Sequence, residues 1–295
     1  MTKLKTFANM IGQDRVMDLL RAECSGRSMP RHMIFAGGAG LGKTTAARGV
    51  AVATGAILTE LLAGKLLTPR VVAAKLMDLD ITGYPGDGVR HVVFIDECHK
   101  LIDTVQWHNV LTDFELNPDP YNGVSWLPRN LTVIAATNFP NQLPQPFKNR
   151  FGLKLRFDPY SNDDIARIVA RSYPGLSADE IAAIAARARG CARSALDLAE
   201  TVSRHGVGAF DLLELDDLGL DNIGRAYLAA LAGAGRPLSL NTIASMIQED
   251  PQVVKTEVEP YLLRLGLISI ESNGRVLLTA VPKGSRGRAS EFYTK

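Results

Sequence analysis

Apolar positions fall into two rhythms along the chain. His32 to Ala36, Val92 to Ile95 and Leu131 to Ala136 are compact apolar runs, rich in β-branched residues and bounded by turn formers. Short runs without polar alternation predict strands buried on both faces, as in a parallel sheet covered by helices. Leu41 to Ala53 and Thr68 to Asp78 lie between them and carry apolar residues at helical spacing. This alternation predicts an α/β domain over residues 1–158, built on a parallel sheet.

From Tyr160 the rhythm becomes wholly helical. Ser161-Asn162-Asp163-Asp164 is a cap and acidic first turn ahead of Ile165, Ile168 and Val169, and Ser177-Ala178-Asp179-Glu180 repeats that signal before an Ala-rich segment. A small all-helical domain is expected over residues 159–220. Beyond the acidic stretch Glu214 to Asp221, helices are predicted at Ile223 to Ala232, Leu240 to Gln248 and Pro251 to Leu265, the last with Asp250 as cap and Pro251 at the first helical position. Leu267 to Ile270 and Arg275 to Leu278 flank Ser272-Asn273-Gly274, a hairpin signal. Three helices and a hairpin form a winged-helix layout over residues 221–281, followed by a basic, flexible tail over 282–295.

Composition adds bounds. A length of 295 residues suits two or three domains, and 46% hydrophobic with 22% charged residues describes a soluble globular chain. The net charge of +2 argues against a chain-wide basic coat and leaves any nucleic-acid contact to local patches. Cys24, Cys98 and Cys191 are odd in number and widely spaced, so they read as reduced thiols rather than a disulfide or zinc framework. Neither a signal peptide nor a membrane span is expected, and the cytoplasm is the expected compartment.

The chemistry begins at GGAGLGKTT, residues 37–45, where Gly37-x4-Gly42-Lys43-Thr44 is a complete phosphate-loop pattern between a strand and a helix. Its glycines let the backbone curl so that N–H groups face phosphates at a helix N-terminus. Gly40, Leu41, Gly42 and Thr45 belong to that cradle, Lys43 reaches the β/γ-phosphates and Thr44 the magnesium of a bound Mg2+–ATP. Asp96-Glu97 emerges at the C-terminal end of a buried strand, where open α/β sheets bind ligands. Asp96 is expected to hold magnesium through water, and Glu97 to polarise the attacking water. Asn138 ends the strand Thr132 to Thr137 and is a candidate for holding that water; an asparagine in such a place is also a common turn former. Arg150 is a candidate for a γ-phosphate contact supplied to a neighbouring subunit, and Arg193, at the start of a helix, for a contact from the helical domain.

These motifs resemble those of AAA+ ATPases, and more narrowly of RuvB-type Holliday-junction branch-migration motors. The resemblance runs along nearly the whole chain: Ile11-Gly12-Gln13, GGAGLGKTT, Phe94-Ile95-Asp96-Glu97 with His99, Asp113-Phe114, Arg150-Phe151-Gly152, Tyr160, Arg189-Gly190 with Arg193, and Glu259-Pro260-Tyr261-Leu262 with Gly266. It implies that Ile11 and Tyr160 flank the adenine, that Asp113 and Phe114 lie near the nucleotide, that Arg150 acts in trans and that Arg193 is a second sensor. It further implies a hexameric ring on double-stranded or branched DNA and a junction-binding partner, RuvA.

The chain departs from that pattern in three places. Thr2-Lys3-Leu4 stands where the family has Leu-Arg-Pro. The insert between Phe114 and Leu131 is short and carries Pro118, Pro120 and Pro128, which disfavour a long regular docking hairpin. The wing holds Ile270, Glu271, Ser272 and Asn273 and keeps only Arg275, so Arg275 with the tail residues Lys283, Arg286 and Arg288 are the candidate DNA contacts. Two other readings stay open at this point. One is a clamp-loader-like AAA+ ATPase remodelling a protein partner; the other is an ATP-binding module whose wing packs against a neighbour.

Overall fold

The computed structural model describes residue 7 and residues 10–26, 29–64, 89–101 and 131–278. The expected helix Thr68 to Asp78, Asp113, Phe114, the insert before Leu131, the N-terminal Thr2-Lys3-Leu4 and the tail with Lys283, Arg286 and Arg288 lie outside the described residues. The chain divides into two compact units, one of residues 1–164 with Cys191–Arg193, the other of Ile165–Gly190 with residues from Ser194 onward.

The first unit is built on a five-stranded sheet whose pairings are all parallel, in the order β2-β3-β4-β1-β5. β1 (Met33–Ala36), β3 (His91–Asp96) and β4 (Leu131–Thr137) are the three apolar runs, and they are the buried central strands. The edges are β2 (Ile57–Leu62) and β5 (Leu153–Arg156), which sequence patterning did not single out. Both mix polar with apolar residues, because an edge strand buries fewer of its side chains; Ile57 and Leu62 of β2 are exposed. Helix α1 (Asp14–Cys24) buries Val16, Met17, Leu20 and Cys24, and α2 (Lys43–Thr54) buries Ala46, Ala47, Val50 and Ala51. A one-turn helix, α3 (Gln145–Lys148), precedes β5. One face of the sheet closes over Ile34, Val93, Ile95, Val133 and Ala135, together with Leu143, Phe147 and Phe151.

The strand order determines what meets at the ligand edge. β4 lies between β1 and β3, so the residue following β4 must sit between the loop that follows β1 and the acids that end β3.

Helix α4 (Asn162–Ser172) starts in the first unit and continues into the second, with Ser161 Oγ accepting from Asp164 N at 3.1 Å as the cap signal predicts. In the second unit α5 (Ala178–Arg187) begins with a full capping box of Ser177 and Glu180. α6 (Ala192–His205), whose first two residues belong to the first unit, and the single turn α7 (Ala209–Leu212) complete the helical part. α8 (Asn222–Ala234) and α9 (Leu240–Ile247) are capped by Asp221 and Ser239.

Pro251 to Leu265, expected as one regular helix, is α10 (Pro251–Val253), a π segment over Val254–Val258, and α11 (Glu259–Arg264). Pro260 explains part of this. It has no N–H to donate to the preceding turn, so the regular ladder cannot run through it, and a wider turn is a common accommodation. The hairpin β6 (Ile268–Glu271) and β7 (Gly274–Leu277) follows, antiparallel as the Asn-Gly signal predicts. Leu238 pairs with Arg275 of β7 through both backbone groups, at 3.1 and 2.8 Å. Tyr227, Leu228, Leu231, Ile243, Leu262 and Ile268 fill this part's core.

Candidate active site

The loop after β1 wraps the start of α2. Gly42, the residue before the helix, has φ 91° and no side chain that could cap it. Only glycine adopts that conformation at low cost, and the uncapped first-turn N–H groups are the positive end of a helix. A side chain on Gly42 would also run into the Tyr160 hydroxyl at 2.7 Å. Tyr160 is buried and donates its O–H to Leu41 O at 3.1 Å, so it braces the loop from the far side. Burial holds the Tyr160 phenol above its usual pKa, so it stays a donor.

Lys43 is buried, 7% exposed, and its ammonium donates to three acceptors: Gly37 O at 2.7 Å, Gly38 O at 2.7 Å and Asn138 Oδ1 at 2.8 Å. Burial lowers its pKa, an effect opposed by the carboxylates of Asp96 and Glu97 and reinforced by Arg193. All three acceptors are uncharged, so an anionic phosphate competes well for this ammonium.

Asn138 closes the arrangement. Its Oδ1 accepts from Lys43, and its Nδ2 donates to Glu97 Oε1 at 3.0 Å. One amide therefore joins the phosphate loop to the acidic pair, in the place that β4's position between β1 and β3 requires. The turn-former reading of Asn138 does not describe it, because both of its side-chain bonds reach other segments.

Asp96 Oδ1 accepts from Glu97 N at 2.9 Å, and Glu97 itself has φ 54°. A left-handed glutamate is strained backbone and belongs with positions where geometry serves function. The second Glu97 oxygen faces His99 Nε2 at 3.5 Å and Lys100 Nζ at 3.6 Å. A neutral His99 carrying its proton on Nε2 satisfies its surroundings. Phe139 N donates to Thr137 Oγ1 at 2.9 Å, Thr137 Oγ1 meets His99 Nδ1 at 3.1 Å, and the Nε2 proton points to Glu97. Burial pushes the His99 pKa below its usual value, with Glu97 opposing, which keeps the ring neutral. His99 also lies edge-on to Phe139, with ring centroids 5.0 Å apart.

Thr44, half-buried in the first turn of α2, and Asp96 are oxygen donors of the kind that magnesium takes. Lys43 feels the Asp96 charge, so the Asp96 carboxylate and the Lys43 ammonium share one locality, and the oxygen donors present are of a kind that fits a magnesium ion.

The remaining sequence candidates are distributed as follows. Ile11 is half-buried, and its neighbour Gln13 reaches Asp158 from both ends of its amide, donating to Asp158 O at 2.6 Å and accepting from Asp158 N at 3.3 Å. Arg193 is exposed in the first turn of α6, and the preceding Cys191 and Ala192 donate to Ala39 O at 3.5 Å and Gly40 O at 3.1 Å. A side chain on Gly40 would collide with Cys191 Sγ and Arg193 Cβ, so Gly40 permits that approach. Arg150 follows α3 in sequence and directly precedes Phe151, whose buried ring lies 5.0 Å from that of Phe147. Its Nε is buried and has no hydrogen-bond partner among the described residues.

Arg275, expected as a phosphate contact, is turned inward instead. Its Nε donates to Glu259 Oε1 at 2.8 Å and its Nη2 to Oε2 at 3.4 Å, while Tyr227 O–H donates to Glu259 Oε1 at 3.0 Å. Glu259 is 2% exposed. A carboxylate that far from water needs a cation, and Arg275 supplies it. Sequence reading missed this partner, although a glutamate between Val258 and Tyr261 on an apolar stripe was the available signal.

A parallel sheet in this order, a phosphate loop with its lysine, an acidic pair ending β3 and an asparagine bridging the two define an AAA+ ATPase, an enzyme that hydrolyses ATP. Residues 33–159 match the family model of the ATPase family associated with various cellular activities (AAA), and residues 217–288 that of the RuvB C-terminal winged helix domain. The chain is 32% identical over 301 residues to the Holliday junction branch migration complex subunit RuvB of Campylobacter fetus, covering 92% of this chain and 85% of that protein. It is 31% identical over 329 residues to the Thermobifida fusca protein of the same name, covering 98% and 91%. The solved Thermotoga maritima RuvB Holliday junction branch migration motor superposes with a TM-score of 0.76 at 25% identity, covering 94% of this chain and 96% of that one. The chain belongs to the RuvB family.

Proposed function

We propose that this chain is an ATP-driven motor on double-stranded DNA that assembles as a ring, most simply a hexamer, and migrates the branch point of Holliday junctions in recombination and repair. The observation that carries the proposal is the Lys43–Asn138–Glu97 bridge, set in a chain of the RuvB family. That bridge gives one amide simultaneous contact with the phosphate-binding cation and the water-polarising carboxylate.

In this reading the N–H groups of Gly40, Leu41, Gly42 and Thr45 cradle the phosphates, and Ile11 and Tyr160 flank the adenine. Thr44 and, through water, Asp96 would hold the magnesium ion, which would supply neutralisation of the phosphate charge. Glu97 takes the proton of the attacking water. His99 and Asn138 keep its two oxygens oriented, and phosphate entering at Lys43 frees Asn138 to hold the water. Arg150 completes the site of a neighbouring subunit, the place where an arginine adds most to phosphoryl transfer in an oligomeric ATPase. Arg193 senses the nucleotide. Asp113 and Phe114 are assigned to the nucleotide surroundings, and Lys283, Arg286 and Arg288 to duplex phosphates. The domain limits proposed are 1–158, 159–220, 221–281 and a tail over 282–295, the compartment the cytoplasm. Among the described residues no helix is long and apolar enough to cross a membrane.

The test is ATP-dependent conversion of a synthetic four-way junction to duplex products. Wild type is expected to convert it and Glu97→Gln to bind it without conversion; wild type that hydrolyses ATP but leaves the junction intact refutes the motor reading. One observation favours a second reading, a loader or remodelling ATPase acting on a protein: Arg275 is committed internally, while Ile270 and Glu271 of the same hairpin are exposed. On that reading a protein partner, rather than DNA, stimulates turnover. A RuvA-like partner is the natural candidate under the first.

A further inference from the structure

Arg189 and Gly190, the two residues before the Cys191–Arg193 segment, both have left-handed backbones, with φ 54° and 71°. For arginine this conformation is strained and persists only where surrounding contacts impose it. The contacts are specific. Arg189 Nε donates to Gly219 O at 2.7 Å, its Nη2 pairs with Asp221 Oδ2 at 3.2 Å, and its guanidinium carbon lies 5.2 Å from the centre of the Tyr261 ring. Arg264 lies 5.1 Å from the same ring and donates to the Arg189 carbonyl. The Tyr261 hydroxyl donates to Leu218 O, so the ring cannot turn away.

Two arginines on one tyrosine are a weak way to gain stability, since their charges repel. They are an effective way to fix one backbone carbonyl, because the ring face attracts both cations and Arg264 is left pointing at Arg189 O. The turn held in this way is the one whose next three residues touch the phosphate loop: Cys191 at Ala39, Ala192 at Gly40, and Arg193 against Gly40.

We propose that Arg189, Tyr261 and Arg264 are positioning residues for Arg193, a clamp through which the last helix before the wing sets the register of the sensor segment on the phosphate loop. Nucleotide state and the winged helix are thereby coupled through one short turn. Movement of α11 shifts the Arg189 carbonyl and with it the segment that carries Arg193, and nucleotide at Arg193 pulls on α11 in return, as linkage demands. The inference rests on the assignment of Arg193 to the nucleotide and not on the DNA reading.

The experiment is binding of a fluorescent ATP analogue to the full chain without DNA, with folding followed by thermal unfolding. Arg264→Ala is expected to weaken the analogue about fivefold. Arg264→Lys, which retains a cation over the ring, is expected to recover most of that loss. In an Arg193→Ala background, Arg264→Ala is expected to add nothing. Arg189→Lys, which cannot hold Gly219 O and Asp221 together while stacking, is the second variant and is expected to match Arg264→Ala, so a folding defect in one leaves the other to decide. If Arg193→Ala itself leaves binding unchanged, the sensor assignment fails. If Arg193→Ala weakens binding but folded Arg264→Ala and Arg189→Lys bind as wild type, or their losses add fully to that of Arg193→Ala, the clamp is refuted.

Discussion

Lys43 in the first unit and Arg275 in the second are both basic residues with side chains turned into the protein, and their partners make them opposites. Lys43 is satisfied by two carbonyls and an amide, none charged. Arg275 is satisfied by a carboxylate that is 2% exposed. A phosphate can take Lys43 from its acceptors, because an anion is the better partner and the carbonyls can turn to other donors. A phosphate that drew Arg275 away from Glu259 would leave that carboxylate without its cation in an apolar core, at a cost of several kcal/mol. A basic residue is thus available to a ligand according to what it would abandon.

The largest effects expected from this contrast are at the nucleotide. Lys43→Ala should reduce ATP turnover at least about 100-fold while leaving the thermal midpoint near wild type. Unfolding of that variant instead would make Lys43 a structural residue like Arg275. Glu97→Gln should lower turnover by about 10²–10⁴-fold with ATP still bound, measured by single-turnover kinetics and nucleotide retention.

The next effect lies in the second unit and is one of stability. Arg275→Ala should destabilise the chain by about 3 kcal/mol in denaturant unfolding, because Glu259 loses its cation and keeps only the Tyr227 hydroxyl. For the folded variant, the slope of log affinity for duplex against log salt should equal that of wild type. A slope reduced by about 0.9 would mean that Arg275 does reach a phosphate.

The smallest effect concerns pH. The His99 pKa lies below its ordinary value of 6.5 because the ring is buried. As pH falls below that value the unfolded chain takes up the proton first, so stability declines with pH until the folded value is passed, and is unaffected above it. His99→Asn should flatten this part of the stability–pH curve; an unchanged curve would remove the neutral His99 from the site.

The same contrast explains what was legible beforehand. The phosphate loop, Asp96 and Glu97 are contiguous motifs on buried strands, and runs such as Val92 to Ile95 have few alternatives as structure. Asn138 became decisive only with the strand order, which places β4 between β1 and β3. The edge strand β2 escaped notice because ILTELL, with mixed exposure, lacks a clean period, and β5 because LKLR alternates over only four residues. The Gln13 latch on Asp158 and the Glu259–Arg275 pair join residues that no local pattern links. Counting charges in the wing therefore missed that Arg275 is paired with a buried acid, since a sequence does not reveal which arginine has an internal partner.

The central claim is that ATP turnover at the Lys43–Asn138–Glu97 site, completed by Arg150 of a neighbouring subunit, is coupled to duplex DNA. The most direct measurement is duplex-stimulated ATP turnover for Lys43→Ala, Arg150→Ala and their equimolar mixture. The account predicts that each variant alone is inactive with DNA, that the mixture regains turnover because the first lends its Arg150 to the second's intact site, and that the regained activity falls steeply with salt. Turnover by Arg150→Ala alone, a mixture as inactive as its parts, or activity indifferent to DNA would contradict it.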